Sequence, residues 1–331
     1  MKRLIAVLLG LLLLLCGCAE EPQETTEPHM TVVGISQVGA ESDWRVANSE
    51  SMKAAFSEEK GYRLLFSDAR QKQENQIMAV RKFIQQQVDY IVLMPLCETG
   101  WDSVLQEAKE AGIPVILVDR MADVEDDSLY AAHVGSDFYG EGLSAVKWME
   151  SRYARRADPV EIIHIQGTMG STAQIGRTRA LEEAVSLHQH WQVLACLDGD
   201  FTQAKAYEVL GDYLDTLPNG QDFDVVYCEN DNEAFGAIEA LREHGYRVGT
   251  DVDVICFDAT ANALRLCGAG EISLVVECNP LLGPLAEEIV RTMEEGKIPP
   301  KHKYIDERMY VQANITEELI AGREYYGNTA Q

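Results

Sequence analysis

The sequence predicts an α/β fold of two doubly wound, parallel-sheet lobes. Three observations carry that expectation. From residue 30 onward, ten short apolar runs alternate with amphipathic segments. The runs are near-continuous and β-branched rather than alternating, as strands buried on both faces are. Ten strands exceed what one compact doubly wound sheet holds, whereas 331 residues suffice for two domains with ample cores.

The elements follow in chain order. MKR is a basic start, IAVLLGLLLLL is an apolar stretch too short to span a bilayer, and small residues come next. The stretch Leu15-Cys16-Gly17-Cys18 resembles a bacterial lipoprotein signal, which implies a signal peptide over 1–17 and Cys18 as an acylated first mature residue. A plain secretory signal cut elsewhere is the alternative. Residues 18–29, rich in Glu, Thr and Pro, read as a flexible tether to the membrane, outside the cytoplasm. The strand candidates are then TVVGIS, RLLFSDA, YIVLMPL, PVILVDR and YAAHVGSD, followed by EIIHIQG, WQVLACLDGD, DVVYCEN, DVICFDAT and ISLVVECNP. Between them, Ile77, Val80, Phe83 and Ile84 form a helical stripe, as do Phe235, Ile238 and Leu241. Gly245 stands where that second helix needs its C-terminal cap.

Composition excludes several function classes. A net charge of −26 leaves no basic surface for phosphate backbones, so nucleic acid is not a partner. Six of the eight cysteines lie beyond the leader: Cys97, Cys196, Cys228, Cys256, Cys267 and Cys278. Their spacing matches no zinc pattern, no metal or cofactor is expected, and several sit in apolar runs as buried thiols. GxxxxGK[ST], HExxH and GxSxG are all absent. The turn QGTMGSTAQIGR lacks the lysine of a phosphate loop, and His164 sits inside a strand run as a core residue. A glycosidase using Asp119 and Asp258 is conceivable, but the Arg beside Asp119 suits a binder better than a general acid. No enzyme activity is expected.

In doubly wound sheets, function lies beyond the carboxyl ends of the strands. After the first run come Glu41, Ser42, Asp43, Trp44 and Arg45. Later runs end in Asp119 and Arg120, in a Gly-rich turn with Arg177 beyond it, in Asp200 and Phe201, in Asn230, Asp231 and Asn232, in Asp258, and in Glu277. Carboxylates accept from vicinal hydroxyls, while Arg and Asn donate to ring and hydroxyl oxygens. An aromatic plate covers the apolar face of a sugar ring. The inventory therefore suits a small neutral polyol, with Trp44 as a stacking wall and Arg45 as a donor. Alternatives stay open: Trp44 as helix-start packing, Phe201 as core, and Asp231 and Asn232 as helix caps.

GISQVGAESDWR, QKQENQIMAVRKFI, the ETGW of Glu98–Trp101, LQEAKEAGIPVILVDR, QGTMG, GDFTQAK and NDN resemble the type I periplasmic sugar-binding proteins of ABC importers. Within their ribose/galactose-binding group, the resemblance is to the galactofuranose binders, over about residues 31–321. It implies that Ser42, Trp44, Arg45, Asp119, Arg120, Arg177, Phe201, Asn230, Asp258 and Glu277 contact the ligand. It also implies a three-strand hinge between an N-terminal lobe (30–134 plus 279–307) and a C-terminal lobe (135–278 plus 308–331). Its partners would be a monosaccharide, a membrane permease and an ATPase, with the binder itself a monomer. Presentation of sugar to a chemoreceptor or sensor kinase is the alternative use of the same closed form. A sugar-responsive repressor is not expected, because a leader stands ahead of residue 30 in place of a helix-turn-helix. Two positions depart from the pattern. Asp43 replaces a small residue and Met121 follows the DR pair where a polar one is expected; the resemblance puts both near the sugar.

Overall fold

The computed structural model describes residues 30–217 and 222–324. The leader, Cys18 and the tether up to residue 29 lie outside the described residues.

All ten apolar runs form strands. β1 (Thr31–Gln37), β2 (Tyr62–Asp68), β3 (Tyr90–Leu93), β4 (Val115–Val118) and β5 (Ala132–Gly135) pair in parallel in the order β5-β4-β3-β1-β2. A second sheet repeats the plan with β6 (Val160–Gln166), β7 (Trp191–Asp198), β8 (Val225–Cys228), β9 (Asp253–Asp258) and β10 (Leu274–Glu277), ordered β10-β9-β8-β6-β7. Apolarity tracks position in the sheet. β4, β5, β8, β9 and β10 are buried at every residue, whereas the edge strands β2 and β7 are only partly buried along most of their length.

Two further strands carry no apolar run, and the sequence did not suggest them. β11 (His302–Tyr304) adds to the first sheet beside β5, and β12 (Met309–Tyr310) pairs antiparallel with β10 in the second. The chain therefore crosses between sheets three times: after β5, after β10 and after β11. This is the expected two-lobed architecture with three connections.

Helices cover the sheet faces. From the first lobe come α1 (Asp43–Ala55), α2 (Gln73–Gln85) and α3 (Asp102–Glu110). Next are α4 (Phe138–Arg152), α5 (Thr172–Leu187), α6 (Gln203–Thr216), α7 (Asp231–Glu243), α8 (Ala261–Ala269), α9 (Gly283–Glu294) and α10 (Glu317–Ala321). The α2 stripe buries Val80 and Phe83 against β1, where a side chain at Gly34 would meet the Phe83 ring at 2.5 Å. Helix α7 ends at Glu243 with His244 as its cap, and Gly245 follows at φ +84°, the left-handed residue the sequence called for.

The ETGW segment is explained by packing. Trp101 is fully buried among Leu93, Leu105 and Leu117, and its indole N–H donates to the Cys97 carbonyl at 2.7 Å. Trp101→Ala is expected to destabilise the protein by about 3–5 kcal/mol, the usual cost of emptying a buried aromatic site. Urea unfolding without sugar measures this; a loss below about 1 kcal/mol would mean that the site collapses freely.

Candidate functional site

The parallel strands of both sheets point their carboxyl ends at one cleft, and each sheet's order reverses there, between β1 and β3 and between β6 and β8. A small cavity lies in the cleft. Ser42, Trp44, Arg45, Asp119 and Arg120 line it from the first lobe. Arg177, Phe201, Asn230 and Asp258 line it from the second. Glu41, Phe138, Ala173 and Cys278 complete the wall.

Local structure explains how each side chain is presented. Ser42 caps α1, accepting from the Arg45 N–H, which places Trp44 and Arg45 in the first helical turn at the cleft. Asp119, Phe201 and Asp258 adopt positive φ values of 66°, 58° and 108°. Non-glycine residues there cost on the order of 1–3 kcal/mol each, and such strain gathers at ligand sites. Trp44 packs in the lobe core and also borders the cavity. It is buried in the lobe core with its indole N–H donating to the Cys278 carbonyl at 2.7 Å, and the Arg45 guanidinium lies 4.7 Å from its ring centroid. Asn230 caps α7 and donates to the Phe201 carbonyl at 3.0 Å, so it holds the wall together as well as lining it.

The charges form two groups. In the first lobe, Arg45 Nε lies 2.9 Å from Glu41 Oε1 and Arg45 Nη2 2.7 Å from Asp119 Oδ2. Arg120 reaches the same Glu41 oxygen at 3.5 Å, donates to the Leu96 carbonyl at 3.1 Å, and stacks 5.2 Å from the Phe201 ring of the other lobe. Burial works against the charge on Glu41, but the two guanidiniums outweigh it and hold its carboxyl below the usual range. In the second lobe, Arg177 binds Glu141 Oε2 through Nε and Nη2 (2.8 and 2.7 Å), donates to the Glu229 carbonyl, and lies 3.8 Å from Asp258 Oδ1. Burial, then the neighbouring Asp231, push the Asp258 carboxyl well up. Glu41 Oε2, Arg45 Nη1 and Arg120 Nε are buried without a hydrogen-bond partner among the described residues. Buried polar atoms of this kind suit a ligand with several hydroxyls.

Three expected neighbours of the ligand lie elsewhere. Glu277 does not face the cavity. Its carboxylate accepts from Tyr310 Oη at 3.0 Å and the Arg308 N–H at 3.1 Å, and pairs with Arg323. Successive strand residues point to opposite faces, so the next residue, Cys278, takes the place in the wall. Asp43 and Met121 tie the lobes together rather than lining the cavity. The Asp43 N–H donates to Asn232 Oδ1 at 3.1 Å, and the Met121 N–H to Thr172 Oγ1 at 3.0 Å. The Glu98 N–H adds a bond to the Gly170 carbonyl at 2.8 Å. These contacts close one lobe upon the other. Asp231 is also turned away, bound to Thr260 and Cys256.

Two residues carried too weak a signal in the sequence. Glu41 was legible only as one more polar residue after β1. Phe138 opens α4 after a crossing and follows no apolar run.

The chain matches the periplasmic binding protein domain over residues 33–297. It is 36% identical to the galactofuranose-binding protein YtfQ of Escherichia coli K12 over 288 residues, covering 87% of this chain and 90% of that protein. It is similar to a Mycobacterium smegmatis protein solved with β-D-fucofuranose (39% identity, TM-score 0.82, 88% of this chain and 97% of that one). It is likewise similar to the periplasmic binding component of the arabinose ABC transporter of Shewanella sp. ANA-3, solved with α- and β-L-arabinofuranose (37% identity, TM-score 0.83, 89% and 96%).

Proposed function

Because the chain belongs to the periplasmic binding protein domain family, we propose that it captures a monosaccharide in its furanose form, galactofuranose first, and delivers it to the permease of an ABC importer. It is a binding protein, not an enzyme. The observation that carries this reading is the small cavity where three guanidiniums and the carboxylates of Glu41, Asp119 and Asp258 converge between two lobes. The proteins it resembles support the ring form, since galactofuranose, fucofuranose and arabinofuranose are all five-membered.

The contacts divide as a hinge mechanism requires. Trp44, Arg45, Asp119 and Arg120 would hold the sugar from a lobe of residues 30–134 plus 279–307. Arg177, Phe201, Asn230 and Asp258 would hold it from 135–278 plus 308–331. A sugar touching both lobes stabilises the closed form by its differential affinity for that form, and the permease would read closure. The leader supports a lipoprotein, with Cys18 acylated and residues 18–29 as a tether outside the cytoplasm.

Calorimetric titration with ring-equilibrated D-galactose tests this directly. Furanose is a minor share of that mixture, so the apparent stoichiometry should fall far below one site per added sugar, and L-arabinose should behave alike. A stoichiometry near one would identify a pyranose binder. Absence of heat with every pentose and hexose would sink the sugar assignment.

A further inference from the structure

The three crossings between the sheets meet at one side chain. The first leaves β5 through Ser136, the second leaves β10 through Cys278 and Asn279, and the third carries Glu307. Glu307 Oε1 accepts from Ser136 Oγ at 2.7 Å and from the Asn279 N–H at 2.8 Å, so one carboxyl ties all three connections. Ser136 Oγ is also 3.4 Å from Cys278 Sγ.

Beside this knot stands Glu141, in the first turn of α4. An oxygen of Glu141, one of Glu307 and Cys278 Sγ all lie within 4.8 Å of one another. Glu141 Oε2 is committed to Arg177, whereas its buried Oε1 meets no N–H or hydroxyl donor among the described residues. Two carboxylates this close, Glu141 buried and Glu307 half-buried, repel strongly unless something positive lies between them. We propose that Glu307 is a neutral carboxylic acid whose proton bridges to Glu141, making it a positioning residue that holds Glu141 against Arg177 and so aims Arg177 into the cleft. The functional consequence rests on the proposed sugar site; the proton itself does not.

The surroundings favour a proton over a cation. Facing the pair are Arg177 from α5, Asp258 from the end of β9 and the Cys278 thiol from the second crossing. Burial, then the charge of Glu141, push the Glu307 carboxyl up to about 9. Burial also raises Glu141 despite its Arg177 partner, and burial first, then Glu141 and Glu307, raise the Cys278 thiol well up. A divalent ion would need that thiolate and would sit near the Arg177 guanidinium. A proton needs neither.

The test uses the purified protein with its glutamate carboxyls labelled with ¹³C, together with Glu307→Gln and Glu307→Ala. The wild type should show, at neutral pH and without sugar, a protonated glutamate resonance that Glu307→Gln lacks. Sugar affinity should fall about tenfold at pH values above the titration of this proton. Glu307→Gln, whose amide N–H replaces the acid O–H, should keep the neutral-pH affinity and lose that alkaline limb, whereas Glu307→Ala should weaken binding throughout. All glutamates ionised at neutral pH, or an unchanged limb in Glu307→Gln, would overturn the proposal. So would Zn²⁺ raising the Tm of the wild type but not of Glu307→Gln, which would install a cation at these atoms. The wild-type resonance decides the question even where a variant fails to fold or no sugar binds.

Discussion

Arg177→Met is expected to abolish sugar binding and to lower the stability of the sugar-free protein by about 3–5 kcal/mol, the cost of stripping one partner from a buried ion pair. Arg177 is 2% exposed and its guanidinium is used on every side. It binds Glu141 through two nitrogens, donates to the Glu229 carbonyl, and stacks over Phe257 at 4.6 Å and Phe138 at 5.4 Å. Met fills much of the volume, so the loss reports charge rather than a cavity. Glu141 would then face Glu307 and Asp258 with no cation among them. Binding suffers for a separate reason, since charge-assisted bonds to hydroxyls are about twice as strong as neutral ones. Arg177→Lys should recover part of the stability but little affinity, because a single ammonium cannot hold Glu141 and the Glu229 carbonyl in a fixed fork. Calorimetry and urea unfolding on the same samples separate the two effects. Arg177→Met that binds sugar normally would remove the second lobe's principal contact from the site.

Most of the fold was legible because buried parallel strands announce themselves as continuous apolar runs. β11 (HKY) and β12 (MY) were not, since edge strands of two or three residues are held by pairing partners rather than by their own apolarity. The site was legible for a topological reason: every doubly wound sheet exposes its strand ends on one side, so residues following the runs converge. What failed was the last residue of register. Sequence says that β10 ends near Glu277, but not which of two consecutive side chains turns inward, and Cys278 is the one that does. Trp44 shows the other limit. The sequence left open whether Trp44 is a stacking wall or helix-start packing. The indole is instead shared between core and cavity, so Trp44→Ala removes packing along with any stacking.

Through His164 the sugar-free protein is also expected to lose on the order of 2–3 kcal/mol between neutral pH and pH about 10, and a comparable amount through Glu307. The imidazole is 1% exposed, with Nε2 2.9 Å from Glu229 Oε1. Glu229 in turn accepts from Thr178 Oγ1 at 2.6 Å and from the Gly167 N–H at 2.8 Å. Burial alone would keep the ring neutral, but hydrogen bonding to Cys196 and Glu229 and the Glu229 charge more than offset it, raising His164 to about 9. The folded state therefore holds a proton that the unfolded chain releases near 6.5. The contribution is whole below that value and disappears as pH rises through about 9. The raised Glu307 acts with the same sign, but its window opens lower, at the ordinary carboxylate range. His164→Gln keeps a donor for Glu229 and should roughly halve the alkaline slope, leaving the share that Glu307→Gln removes. Urea midpoints measured across this pH range decide it: a His164→Gln profile as steep as the wild type would make the pair a neutral hydrogen bond. A shallower one ties the charge to the site. Glu229 fixes the Gly167 turn with its side chain and receives Arg177 with its backbone carbonyl, so losing the imidazolium would loosen the second lobe where the sugar is proposed to dock.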